Sequence, residues 1–329
     1  MEEININLYE KWVKKPIMIS ILKESKKKSL NDLMIYSIMI DTIITNIKSQ
    51  FGNLTKERHQ LEFYKNMLHK NYTNIHNLLC SKDINIVYYY YYYYYYHYQF
   101  KELLNQLINY DTPKEYLPIE IFFRGIHQII EIVLLYFLNI QDQIELLLNI
   151  DIDKVNHLIY NNIQIWSQLI ELLNLLVSMD ELKYQKYRNL IYGTSGGESI
   201  NLRLLQKKIQ NLDKHISLNI HDTIINNHPD KYLISSIKLY QYYSTQFWLT
   251  HFNLAASTNG IQNKGTKETP IIKLIDKCIN MTDTRINNVL CDISLSVRDD
   301  TIKKKVIINN KEKLIGLSIY NSVKDYLNI

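Results

Sequence analysis

Chain breakers are scarce in this sequence. Eight Gly and five Pro are spread over 329 residues, so few positions favour a turn or forbid a helix. The rest is rich in Leu, Ile, Lys, Glu and Gln, residues that lose little side-chain freedom in a helix. With 46% apolar residues, the chain can bury a sizeable core as one large domain or two small ones. The expected fold class is all-α, a helical bundle in which ligands sit between facing helices.

The formal net charge is +5 and dispersed. The dense cationic runs, Lys26-Lys27-Lys28 and Lys303-Lys304-Lys305, read as solvated faces, so neither nucleic acid nor a membrane surface is the expected partner. Cys80, Cys278 and Cys291 stand far apart, without the C-x-x-C spacing of a metal site. Three scattered thiols suit a reducing, cytoplasmic compartment. The sequence opens on acidic Glu2-Glu3, unlike a secretory leader. Its longest apolar stretch, 129–140, is broken by Glu131 and reads as a buried helix. No window is expected to approach the roughly 18 apolar residues of a membrane span.

Tyr88 to Tyr96 form an uninterrupted tyrosine run. A homopolymer has no period and cannot specify which face packs. The run could offer a stacking platform, but repeat expansion in an inserted loop or helix end is the simpler reading. The expected organisation is an N-terminal helical segment over 1–50, a low-complexity insertion over 51–115, and a ligand-binding helical part over 116–329. From Pro118 the pattern becomes orderly, with His127, Ile130, Glu131, Leu134 and Leu138 at helical spacing. An apolar stripe follows over 163–177, a break near Asp180-Glu181, a helix restart at Asn201, and a Tyr-rich helix over 230–255. A short strand over 303–308 is the one exception considered.

Several residues in these stretches carry chemistry. Neutral imidazole is a common metal donor, and His251 lies in an apolar helical context. Without further context such a His is more often a packed core residue. His127 and Glu131 share a helix face, which by itself reads as a His satisfied by its own carboxylate. Arg188 has the guanidinium fork that holds a carboxylate through two parallel bonds, although a surface Arg on a helix is the ordinary reading.

Three stretches occur in order: Phe123-Arg-Gly-Ile-His127-Gln128-Ile-Ile-Glu131, Tyr187-Arg188 through Ser195-Gly196-Gly-Glu-Ser199 to Arg203 and Ile209, and Phe247-Trp-Leu-Thr-His251 running on to Gly265-Thr266. Together they resemble the tryptophan 2,3-dioxygenase family over about residues 118–280, and faintly over 30–50. The resemblance implies an all-α haem-dioxygenase fold. It also implies a homotetramer, haem b as cofactor, and L-tryptophan and O2 as substrates opened to N-formylkynurenine. On this resemblance His251 is the axial ligand of the haem iron, and His127 orients the indole N–H. Phe123 is the aromatic wall, Arg188 and Tyr184 hold the carboxylate, and Thr266 holds the amino-acid end. Ser195 and Gly196 line the distal haem face.

The chain also departs from the family pattern. Gly197 and Glu198 stand where the family has Phe and Gln, and Lys267-Glu-Thr-Pro270 replaces a Gly/Ser-rich loop. Near the N-terminus Met34 and Ser37 stand where the family has tyrosines that reach a neighbouring subunit. These departures keep two rivals open: a relative on the same fold with another indole substrate, and a catalytically silent haem-binding relative.

Overall fold

The computed structural model describes residues 7–28, 32–51, 86–147, 150–177, 181–188, 190–191, 199–209 and 211, together with 240, 243–244, 246–248, 250–251 and 254. Among the described residues the protein is all-α, with no strand. The helices are α1 (Leu8–Trp12), α2 (Lys15–Lys27), α3 (Asp32–Phe51), α4 (Ile86–Gln99), α5 (Lys101–Ile108), α6 (Leu117–Leu147), α7 (Ile152–Val177) and α8 (Glu181–Arg188). Residues 200–209 form α9, and the described positions between 240 and 251 are helical. The expected break falls between α7 and α8, and the expected restart at Asn201 falls inside α9. The 303–308 stretch lies outside the described residues.

Helix α6 is the centre of the bundle, packed most extensively on α3 and α7. Pro118 sits in its first turn, where the missing N–H costs nothing. Beyond it the helix is buried on nearly every face up to Leu134, as suits a helix surrounded by others. It also corrects one expectation. By length and hydropathy (1.7) α6 could cross a membrane, but 83% of that window is buried inside the protein. Periodicity alone cannot separate a span from a core helix.

Close approach of α3 and α6 depends on Gly125. A Cβ there would lie 2.8 Å from Ile47 Cδ1 and 3.2 Å from Ile43 Cγ2. Helix α1 is short and held at both ends. The Asn7 side chain accepts from the Glu10 N–H at its start, and Lys14 turns the chain into α2 with a left-handed φ of 58°.

Of the two settings expected for the tyrosine run, a loop or a helix end, the structure shows a helix. The run lies within α4, where the Tyr93 hydroxyl meets the Asp41 carboxylate of α3, Tyr96 and Phe100 are buried, and Tyr94, Tyr95 and Tyr98 stay exposed. A helix of identical residues has no preferred face, so its neighbour chooses one. The following helix α5 buries Leu104 and Leu107, and Tyr110 after it also enters the core. This stretch of 86–110 is therefore part of the bundle.

Candidate functional site

The site grows from one face of α6. Phe123 and His127 are one turn apart with ring centroids at 4.4 Å, and His127 Nδ1 lies 2.8 Å from the Phe123 carbonyl oxygen. A carbonyl only accepts, so Nδ1 carries the proton and neutral His127 presents Nε2 as an acceptor. Burial pushes His127 down to about 4; the Phe123 carbonyl opposes the shift and the nearby His251 adds to it. His251 is likewise lowered by burial. Both rings are therefore neutral at neutral pH. Each keeps some accessible surface despite its depth.

Helix α8 supplies the second wall. Its Tyr184 ring is 5.0 Å from Phe123 and its Tyr187 ring 6.1 Å. Burial raises the Tyr184 hydroxyl to about 12, and the Arg188 charge partly offsets the rise. Phe123, His127 and Tyr184 thus lie together, with Arg188 one turn beyond Tyr184 on α8 and His251 near His127. Its ring stands 6.1 Å from Trp248 in edge-on contact. Ser195, Gly196 and Thr266, with Gly197, Glu198 and the 267–270 loop, lie outside the described residues.

Sequence reasoning missed the contribution of α1. Trp12 lies 5.5 Å from Phe123 and 5.4 Å from His127, and Tyr9 lies 6.3 Å from His127. The signal was present as an aromatic pair three residues apart after a capping Asn7, which places both rings on one helix face. Met34 and Ser37 of α3, where the family has tyrosines, are both buried.

Two polar networks fix this end of α6. Glu131 is wholly buried and accepts from the Tyr9 hydroxyl (3.1 Å) and the Asn201 amide (2.8 Å). Burial raises its pKa, while Ser199, Lys15, Tyr9 and Asn201 resist the rise. Ser199 also caps α9 by accepting from Leu202 N–H at 3.1 Å. One carboxylate therefore ties α1, α6 and α9 together. Gln128 does similar work beside it. Its amide donates to the Leu107 carbonyl (3.0 Å) and the Val13 carbonyl (3.3 Å), and its oxygen accepts from Tyr110 (2.8 Å). A turn earlier, Arg124 pairs with buried Glu120 and lies 4.8 Å over Tyr110 and 5.4 Å over Trp12.

Among the described residues no three His, Cys, Asp or Glu side chains cluster as a metal site. A lone neutral imidazole such as His251 suits a metal that brings its own equatorial ligands. Compared with protein-family models, curated proteins and solved structures, the chain matches none.

Proposed function

We propose that this all-α chain is a haem-dependent dioxygenase that opens the indole ring of L-tryptophan with O2 to give N-formylkynurenine. The observation that carries the reading is His127. Its Nδ1 proton is committed to the Phe123 carbonyl, so its Nε2 can accept the N–H of an indole. Haem, when bound, supplies oxygen activation.

The chain's own residues bind and position. His251 offers a neutral nitrogen to the iron. Phe123 and Tyr184 present aromatic surface to a flat ring, while Arg188 offers its fork to a carboxylate. Thr266, Ser195 and Gly196 are proposed to complete the amino-acid and distal ends. A charged His127 could not accept from an N–H, and burial keeps it neutral. A homotetramer in a reducing compartment completes the proposal.

The test is direct. Protein purified with haem, reduced and mixed with L-tryptophan in air should form N-formylkynurenine. His251→Ala should lose the Soret band, and Arg188→Lys should lower kcat/KM about a hundredfold. Full haem occupancy without product overturns the dioxygenase reading. An unchanged spectrum in His251→Ala overturns the ligand assignment.

A further inference from the structure

Helix α1 brings a tryptophan of the chain against the two rings proposed to hold a substrate. Trp12 is 9% exposed, and its ring neighbours both Phe123 (5.5 Å) and His127 (5.4 Å). Tyr184 and Tyr187 occupy other sides of Phe123. A ligand ring that touches Phe123 and His127 must therefore fit beside Trp12.

Trp12 is also held in place from several directions. The Arg124 guanidinium lies 5.4 Å over its ring and is itself paired with buried Glu120. Three residues earlier, Tyr9 is fastened to buried Glu131 by its hydroxyl. The residue after it, Val13, gives its carbonyl to the Gln128 amide. The bonds of Tyr9 and Val13 fix the helix that carries Trp12, and the Arg124 guanidinium packs over its ring, so the indole acts as a wall.

We infer that Trp12 is a specificity-determining residue that limits the size of the aromatic ring accepted beside Phe123 and His127, with Tyr9 and Glu131 as the positioning pair that holds it there. The inference rests on the proposed tryptophan reading and sharpens it, because it assigns ring-size selection to a five-residue N-terminal helix of the same chain.

Calorimetric titration of the haem-loaded full chain tests it. L-tryptophan is compared with tryptophans carrying a methyl group at ring position 5 or 6. One methyl group against a rigid apolar wall is worth roughly tenfold in discrimination. The wild type should bind L-tryptophan about tenfold more tightly than the methylated ligands, and Trp12→Ala should bring the ratio close to one. Trp12→Phe should fall between and keeps the test alive if the alanine variant does not fold. Tyr9→Phe should lower the ratio in the same direction with haem content unchanged.

The outcomes separate. An unchanged ratio in the Trp12 variants overturns the inference alone, and so does a uniform gain for every ligand, which would mark Trp12 as a plug. Absence of L-tryptophan binding to haem-loaded wild type overturns the proposed function and this inference with it.

Discussion

The two halves of α6 are built on opposite plans. From Glu120 to Glu131 most buried polar groups are networked: Glu120 is ion-paired with Arg124, Gln128 is bonded to Tyr110 and two carbonyls, and Glu131 to Tyr9 and Asn201, although Trp12 Nε1 and Arg124 Nε are buried without a hydrogen bond. Beyond it the helix meets aromatic bulk, with Phe137 5.0 Å from Trp166 and Trp166 5.1 Å from Phe247. Several polar atoms there lack partners. Trp166 Nε1, both amide atoms of Asn162 and the Gln141 oxygen are buried without a hydrogen bond, although the Gln141 amide donates to the Tyr240 hydroxyl at 3.0 Å. The first half uses directional bonds that fix geometry, and the second uses packing that supplies stability. Precise placement of ligand-facing groups needs the first kind, since hydrogen bonds set angle and distance where apolar contact does not.

The contrast breaks most visibly at Trp166. Trp166→Ala should destabilise by about 3–5 kcal/mol through the cavity it leaves. Chemical denaturation checks the loss, and ligand affinity in the variant that remains folded should be near wild type. A large affinity loss would mean that the second half also shapes the site.

In the first half, charge should respond to pH. Burial raises Glu120 to about 7, against which Arg124 and the Trp12 indole pull down. The folded state thus holds a proton that the unfolded state releases near 4.5. Glu120 therefore contributes stability that is full below pH 4.5 and is lost as pH rises through 7. Glu120→Gln mimics the protonated form. Between pH 4 and 8 its stability should gain on the wild type by about 2–3 kcal/mol. The paired comparison matters because His127, lowered to about 4, gives the opposite slope below pH 6.5. Parallel curves for variant and wild type would remove Glu120 from the account.

Glu131→Gln tests the network with less change of shape. The amide group must face a donor, so one of the buried bonds from Tyr9 or Asn201 is lost, at about 2 kcal/mol. Loss of midpoint should come with weakened ring-size discrimination, which separates this end from Trp166. At the other end Asn162→Leu should stabilise by about 1 kcal/mol, because it removes unbonded amide atoms from a buried helix face. A destabilised Asn162→Leu would show that those atoms have partners in solution, such as buried water.

Legibility in sequence follows the same division. The all-α class, the α7–α8 break and the helix face shared by His127 and Glu131 follow from sparse breakers and periodicity, both local properties. The contacts of Phe123 with His127 and Tyr184 follow from neither property, since Tyr184 lies 61 positions beyond Phe123 and only packing brings the rings together. The contribution of Tyr9 and Trp12 was hidden, because five residues give too little period to announce a helix and its docking depends on Glu131, 122 positions away from Tyr9. The packing face of the tyrosine run was hidden for the converse reason. Its sequence has no face, and only Asp41 and the α3 surface give it one.

Gly125 links these regions mechanically. With no Cβ between them, the Ile43 and Ile47 side chains of α3 pack directly on the α6 backbone at this point. The meshed partner α3 carries Asp41, and Asp41 holds the Tyr93 hydroxyl of the tyrosine helix. A wedge as small as one methyl group at position 125 would press first on Ile43 and Ile47 and then, through α3, on α4. The residue next to Arg124 and two positions from Phe123 and His127 therefore sets how near α3, with its Asp41–Tyr93 contact, lies to the helix that carries the proposed site.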